Sequence, residues 1–150
     1  MSRTSRSLCK VVLDTSALLV IGEYGNSPGL ADALEGICDD LTLVTPRKVL
    51  DEVFRIALER GRRGLAARLF LKLVNDGYLN PEIVEVEGCV STDECILKLA
   101  LELKKSGERV IAVTLDRDLS ESLKKLGVLC VTWWCSRKKF TLSSGPSREQ

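Results

Sequence analysis

The sequence predicts an α/β fold of three layers, with a central parallel sheet of five strands and helices on both faces. Short apolar segments rich in β-branched residues alternate along the chain with longer segments whose apolar residues recur at helical spacing. Acidic residues stand repeatedly where a strand or loop is predicted to pass into a helix. Because parallel strands need crossover connections, and these are right-handed, the alternation places helices on both faces of one sheet.

Five segments have the composition of buried strands. They span residues 8–13, 41–45, 83–86, 109–114 and 128–134. The first is followed by Asp14-Thr15-Ser16, a sequence with helix-capping side chains, and the second ends at Pro46.

Helical segments connect these strands. Predicted helices follow Asp14, span about 28–37, form a hairpin over 47–74 that breaks at 61–64, and run from 91 to about 105 and from 117 to 126. Ser91 and Glu94 form the capping pattern S-x-x-E, and Gly107 and Gly127 are typical helix ends.

The length of 150 residues fits one domain with its own core. We expect this domain to span 10–134, between a basic N-terminal tail, 1–9, and a basic C-terminal tail, 135–150, that is predicted to be disordered. Basic tails on an acidic body suit a protein that binds a polyanion, although such tails often serve only solubility.

The composition excludes several classes of protein. The chain has no histidine, which rules out a Ser-His-Asp triad, a Cys-His pair and histidine acid–base chemistry. No apolar run approaches the ~20 residues that span a bilayer, and the N-terminus lacks the apolar core of a signal peptide. A cytoplasmic location is therefore expected, without membrane contact.

Six cysteines, at positions 9, 38, 89, 95, 130 and 135, form no C-x-x-C pair. Without histidine, a zinc site is disfavoured. We therefore expect buried free thiols, with a disulfide as the open alternative.

Four acidic residues are candidates for the catalytic site. Asp14 follows strand 1 directly, and Asp116 comes two residues after strand 4. If strands 1 and 4 are neighbours, these carboxylates face each other at the edge where ligands of parallel sheets bind. Glu52 and Asp93 lie on helices that can present them to the same rim. Carboxylates gathered this way repel one another, and without histidine the set favours a hard cation, Mg²⁺ or Mn²⁺.

Each of these residues also has an ordinary structural explanation. Asp14 and Asp116 can cap helices, and Asp93 suits the first turn of a helix because the dipole favours an anion there. Glu52 stands beside Asp51, so that one of the two can simply face solvent. The hypothesis of a site therefore depends on the recurrence of acidic residues at one rim and not on any single residue.

The whole pattern resembles the PIN-domain nucleases over roughly 10–134. The resemblance is carried by V-V-L-D-T-S-A-L-L at 11–19, V-L-D-E-V at 49–53, S-T-D-E-C-I-L-K-L-A at 91–100 and A-V-T-L-D-R-D-L at 112–119. The last two segments are most similar to the ribosomal-RNA-processing branch of that family and its archaeal relatives.

The resemblance implies specific roles for residues of this chain. It implies Asp14, Glu52, Asp93 and Asp116 as catalytic residues, Asp14, Asp93, Asp116 and Asp118 as ligands of Mg²⁺ or Mn²⁺, and Thr15, Ser16 and Thr114 as groups that orient a carboxylate or bind phosphate. It further implies a homodimer, for which the apolar hairpin at 47–74 is a plausible surface, and products that end in 5′-phosphate and 3′-hydroxyl.

The sequence thus predicts a metal-dependent endoribonuclease that cuts single-stranded or looped RNA, with a role in ribosomal-RNA processing. Two alternatives stay open: the toxin of a toxin–antitoxin pair, bound by a protein antitoxin, and a catalytically weak RNA-binding factor that works with a ribosome-assembly partner. The hairpin also offers a candidate nucleic-acid patch, although such charges more often form only a solvated face. Its basic residues are Arg60, Arg62, Arg63, Arg68 and Lys72.

Overall fold

The computed structural model describes residues 7–25 and 29–143, which form six strands and six helices. In chain order these are β1 (Leu8–Leu13), α1 (Thr15–Tyr24), α2 (Leu30–Ala33), β2 (Asp40–Pro46), α3 (Arg47–Ile56), α4 (Gly61–Asn75), β3 (Glu82–Val84), α5 (Thr92–Lys105), β4 (Arg109–Val113), α6 (Arg117–Lys125), β5 (Leu129–Trp134) and β6 (Lys139–Leu142). The predicted tails lie outside the described residues up to residue 6 and from residue 144 onward.

All six strands belong to one sheet, in the order β3-β2-β1-β4-β5-β6. The first five strands of this order pair in parallel, and β6 pairs antiparallel with β5. The predicted pairing of strands 1 and 4 is confirmed. The chain builds one half of the sheet from β1 outward and then crosses over to β4, so the strand order reverses between β1 and β4.

The sixth strand corrects the prediction of five strands and of a disordered tail from 135. Residues 139–142 form β6, whose Phe140 is buried and meets Trp133 of β5 edge-on, with ring centroids 5.0 Å apart. A single buried ring in a basic segment is too weak a sequence pattern to indicate a strand, because the pairing with β5 supplies most of the stabilisation.

Helices flank both faces of the sheet. Cys130 points toward α6, where its Sγ lies 3.8 Å from the carbonyl oxygen of Ser120. Trp133 points to the opposite face, because side chains alternate along a strand, and there it stacks on Tyr24 of α1 at 4.9 Å. The central strand β1 is enclosed between the layers, and its Val11, Val12 and Leu13 are buried. No helix in the described ranges combines the length and the apolarity needed to cross a bilayer.

The helices differ from their predicted bounds at two places. The predicted helix at 28–37 is reduced to the short α2, which ends at Ala33 and is followed by turns over 34–37, where Gly36 has a φ of 84°. Residues 26–28 lie outside the described residues. The hairpin breaks at 57–60 rather than at 61–64, which form the first turn of α4. Gly64 is buried there, and a Cβ on it would lie 1.9 Å from the carbonyl oxygen of Glu59, so the glycine permits a close approach rather than ending the helix.

Four of the six cysteines form disulfides, so the expectation of free thiols was wrong for these. Cys9 pairs with Cys38 across 29 residues of sequence, and Cys89 pairs with Cys95 across six. The Cα atoms lie 5.8 and 5.2 Å apart, within the range that a disulfide spans. That proximity is a product of the fold, which spacing alone does not reveal. Cys130 is a buried free thiol and Cys135 an exposed one.

Candidate active site

Asp14 stands at the carboxyl end of β1 and is buried, with 7% of its surface exposed. It is the N-cap of α1, because its Oδ1 accepts a hydrogen bond from the amide of Ala17 at 3.1 Å. Ser16 donates its hydroxyl to the same oxygen at 2.7 Å, and Thr114 donates to Oδ2 at 2.5 Å. Burial raises the pKa of Asp14 above its ordinary value, the three hydrogen bonds oppose this, and the charge of Asp93 adds to the rise.

Hydroxyl groups join the end of β1 to the loop after β4. Thr114, besides donating to Asp14, accepts a hydrogen bond from the amide of Asp116 at 3.0 Å. Ser16 accepts one from the amide of Leu115 at 3.0 Å. These two side chains therefore fix the separation of the two central strands at the rim and hold the first aspartate in place.

Asp116 caps α6, since its Oδ1 accepts from the amide of Leu119 at 3.1 Å. Among the described residues its other oxygen has no hydrogen-bond partner. Asp116 can therefore cap a helix and also belong to the site, as Asp14 does. Asp118 follows in the exposed first turn of α6.

Glu52 of α3, and not Asp51, faces the rim. Thr15 donates its hydroxyl to Oε1 of Glu52 at 2.5 Å, while Arg55 lies 3.5 Å from Oε2. Asp51 is exposed and lies beside Arg47 and Lys48, away from these contacts. Arg55 is a site neighbour that the sequence analysis missed, although its position one helical turn after Glu52 was a usable signal.

Asp93 stands in the first turn of α5, between Ser91 and Glu94 of the predicted capping pattern. The amide of Glu94 donates to Ser91 at 3.1 Å, and the carboxylate of Glu94 accepts from the amide of Val90 at 2.7 Å. Asp93 is exposed, but partial desolvation raises its pKa, and the negative charges of Asp116, Glu52 and Asp118 raise it further. Within the part of the chain described, its side chain has neither a hydrogen bond nor an ion pair.

The structure therefore brings all the predicted acidic residues to one rim. We call Asp14, Glu52, Asp93, Asp116 and Asp118 the acidic cluster. The charges of Glu52, Asp116 and Asp118 act on Asp93, and the charge of Asp93 acts on Asp14. The predicted hydroxyl residues Thr15, Ser16 and Thr114 are there too, each bonded to a carboxylate of the cluster. Arg55 is the one basic residue in an ion pair with these carboxylates, as far as the described residues go.

The acidic cluster fits a hard cation in donor chemistry, because it offers carboxylate oxygens and no nitrogen or sulfur. Asp93 and one oxygen of Asp116 are free of protein donors in the described ranges. Asp14 and Glu52 instead direct oxygens at hydroxyl groups of the protein. Accordingly, no three acidic or cysteine side chains among residues 7–25 and 29–143 are arranged to share one ion.

The basic residues of the α3–α4 hairpin have mixed roles. Arg62 forms an ion pair with Glu23 of α1, and Lys72 forms one with Asp76 at 3.0 Å. Arg68 donates to two carbonyl groups that precede α4. Much of this candidate nucleic-acid patch therefore serves the packing of the hairpin, whereas Arg60 and Arg63 are exposed on its surface.

Comparison with family models matches residues 11–134 to the family described as PIN like domain. The match covers most of the chain, so the protein belongs to the PIN-like domain family. It thereby has a nuclease-type fold, in agreement with the parallel sheet and the rim described above. The ribosomal-RNA-processing branch stays a prediction. A comparison with curated proteins found no match.

Proposed function

We propose that this chain is a metal-dependent endoribonuclease that hydrolyses phosphodiester bonds of single-stranded or looped RNA at the rim between β1 and β4. The observation that carries the proposal is the environment of Asp93. It is an exposed carboxylate whose pKa is raised by partial desolvation and by three neighbouring carboxylates, and in the described residues no cation of the protein pairs with it. An arrangement that costs stability in this way is typical of a functional site.

In this proposal Asp14, Asp93, Asp116 and Asp118 would hold Mg²⁺ or Mn²⁺ once their side chains turn to converge on the ion, since no three of them converge in the described residues. When bound, the ion would supply a water of lowered pKa and neutralise the charge that develops on the phosphate oxygens. The acidic cluster alone would repel a phosphate, which explains why the chemistry requires a cation.

The remaining residues position these carboxylates. Thr114 and Ser16 hold both oxygens of Asp14, and Thr15 holds Glu52. Arg55 offsets part of the negative charge at Glu52. A carboxylate fixed by neighbouring hydroxyl groups keeps its orientation through the reaction, so less reorganisation is needed in the transition state.

An unpaired strand suits this rim better than a duplex, because the cleft at the edge of a parallel sheet admits a single strand more readily. RNA is the partner we propose, with products that end in 5′-phosphate and 3′-hydroxyl, as expected from the family resemblance. Ribosomal-RNA processing is the role we favour, and we place the protein in the cytoplasm.

We further propose that two copies associate through the α3–α4 hairpin. Its outer surface exposes four large apolar side chains, Phe54, Leu58, Leu65 and Leu69, of which Leu58 is 84% exposed. An apolar surface of this kind on a small domain is typical of a protein–protein contact.

The direct test is cleavage of a labelled single-stranded RNA with Mn²⁺, with Mg²⁺ and with EDTA. We expect wild type to cut only with a metal, Asp93→Asn to be inactive while folded, and Asp51→Asn to cut like wild type. Asp51→Asn is the matched control because it removes one carboxylate outside the acidic cluster. Wild-type turnover by Asp93→Asn would refute the assignment. Metal-independent binding of RNA without cutting would favour the assembly factor instead.

A further inference from the structure

The hairpin of β5 and β6 projects beyond the rim that carries the acidic cluster. Val131 of β5 is level with Val113, the last residue of β4, since the two are register partners. Three more residues of β5 continue past this level, which at about 3.3 Å per residue extends the strand by about 10 Å. β6 then returns beside it, with Lys139 opposite Trp134. The tip of the hairpin, residues 135–138, therefore stands above one side of the rim.

Trp134 lies on the face of the sheet that carries α6. Cys130 faces α6, as its contact with Ser120 shows. Because side chains alternate along a strand, Trp134, four residues later, points to that same face. The helix on this face, α6, is capped by Asp116 and carries Asp118 in its first turn. The indole ring is thus on the same side of the sheet as two members of the acidic cluster.

Two positive charges lie over the exposed ring of Trp134, and a third lies on the other face of the hairpin. Trp134 is 42% exposed. The guanidinium carbon of Arg137 lies 5.0 Å from its ring centroid, and Nζ of Lys139 lies at 5.9 Å. Nζ of Lys138 lies 5.9 Å from the ring of Tyr24. In the described parts of the chain none of these three cations forms an ion pair, and residues 135–143 include no acidic residue.

An exposed indole among unpaired cations matches the chemistry of a single-stranded nucleic acid. Unpaired bases stack on aromatic rings, and the phosphates between them bind lysine and arginine. A duplex keeps its bases stacked inside, and a protein partner would be expected to need a broader apolar surface. The hairpin also complements the acidic cluster, because it attracts the strand beside a rim that repels it.

We propose that the β5–β6 hairpin binds single-stranded RNA, with Trp134 stacked on a base and Arg137 and Lys139 in contact with the flanking phosphates. This inference rests on the proposed function and adds a substrate-binding site to it. The offset of about 10 Å corresponds to about three nucleotides of a stacked strand at 3.4 Å each. The tip and β6 lie beyond residue 134, where the family match ends. The hairpin would thereby select which bond of the strand reaches the acids.

The test is binding of a fluorescent single-stranded RNA of about 12 nucleotides, within the usual site size of such surfaces, followed by anisotropy. The full chain with Asp93→Asn serves as the common background, so that the RNA stays intact. We expect Trp134→Ala to weaken binding about tenfold, and Trp134→Phe, which keeps a stacking ring, by less than about threefold. Arg137→Ala with Lys139→Ala should lower the slope of log affinity against log salt by about 1.4, since each phosphate contact on a single strand contributes about 0.7.

Two controls match these variants. Lys105→Ala with Lys125→Ala removes two exposed charges at the far ends of α5 and α6, and Tyr78→Ala removes another exposed aromatic ring. Neither should change the affinity or the salt slope. Circular dichroism establishes whether each variant is folded. We expect all of them to fold, because the substituted side chains are exposed.

Three results would overturn the proposal. The first is unchanged RNA binding by folded Trp134→Ala. The second is an equal loss with a duplex of the same sequence, because stacking needs an unpaired base. The third is a change in oligomeric mass by Trp134→Ala with RNA binding intact, which would assign the hairpin to a protein contact.

Cleavage by wild type, measured in parallel, separates this proposal from the nuclease assignment. Metal-dependent cutting that is indifferent to Trp134 overturns the hairpin site alone. Trp134-dependent binding without cutting supports the hairpin and overturns the nuclease. A wild type that binds no single-stranded RNA overturns both.

Discussion

Replacement of Thr114 by valine tests whether a single hydroxyl group holds the rim together. The substitution preserves the shape of a side chain that is 1% exposed and removes two hydrogen bonds. In one of them the Thr114 hydroxyl donates to the buried carboxylate of Asp14 at 2.5 Å. In the other it accepts a hydrogen bond from the amide of Asp116 at 3.0 Å. A hydrogen bond to a charged group contributes about 1.5–3 kcal/mol, and water can partly replace the second because Asp116 is exposed. We therefore expect a loss of about 2 kcal/mol of unfolding free energy at neutral pH.

This loss should depend on pH, and its direction follows from the pKa of Asp14. Burial raises that pKa above 3.8, so in wild type the contribution of Asp14 to stability is greatest below about pH 3.8 and falls as pH rises through the folded-state pKa. The bond from Thr114 opposes this rise in pKa. Without the bond from Thr114 the pKa of Asp14 rises further, so the unfolding free energy of Thr114→Val falls more with rising pH, and the fall extends to higher pH. The difference between Thr114→Val and wild type should accordingly grow from acid to neutral pH.

The assay is urea denaturation in EDTA over a series of pH values. Thr45→Val is the matched control: it removes a buried threonine hydroxyl at the end of β2 that donates to the neutral carbonyl of Leu13 at 2.8 Å. We expect that control to cost about 1 kcal/mol at every pH. A double-mutant cycle should also show that Thr114→Val costs less in an Asp14→Asn background. Equal, pH-independent losses in both threonine variants would refute the role assigned to Thr114.

Three further predictions concern stability and assembly. Asp93→Asn should raise the unfolding free energy in EDTA by about 0.5 kcal/mol, a value reduced for solvent screening. The same variant should not cleave RNA with a metal present. A loss of stability would contradict charge repulsion among the carboxylates of the site. Gly22→Ala should destabilise by about 2–3 kcal/mol in thermal unfolding, because a Cβ there would lie 2.1 Å from the carbonyl oxygen of Ala66 in α4; an unchanged melting temperature would show that the two helices can separate at little cost. Leu58→Glu should convert the proposed dimer into a folded monomer, which light scattering would detect as a halved mass. If the dimer persists, the interface does not lie on the hairpin.

Most of the fold could be predicted because its strands are short apolar runs closed by caps. Asp14, Ser91 and Asp116 each cap a helix as their sequence context indicates. The features that were missed depend on distant partners. β6 forms because β5 offers it an edge, and the disulfides form because the fold brings their cysteines together. The hairpin break was misplaced because Gly64 serves a close contact with Glu59, where glycine more often ends a helix.

The candidate site was predictable to a similar degree. Position relative to the strands was enough to nominate the acidic residues, since parallel strands end at one rim. Which donors hold each carboxylate was not predictable. The hydroxyl of Thr114 reaches Asp14 across 100 residues of sequence, and the contact of Arg55 with Glu52 depends on the side-chain rotamer that Arg55 adopts. Trp134 was placed in a strand without a role, because the face on which it emerges depends on the alternation of β5 beyond the sheet.

The order of the strands has a consequence for synthesis of the chain. β1 is made first, yet its neighbour β4 is made only after residue 108, and Asp116 follows later still. A nascent chain on the ribosome therefore lacks Asp116 and Asp118, two of the five residues of the acidic cluster, until more than two thirds of the 150 residues have been translated. If the chain is the ribonuclease proposed above, this delay would keep the unfinished protein from attacking the messenger RNA and ribosomal RNA that surround it.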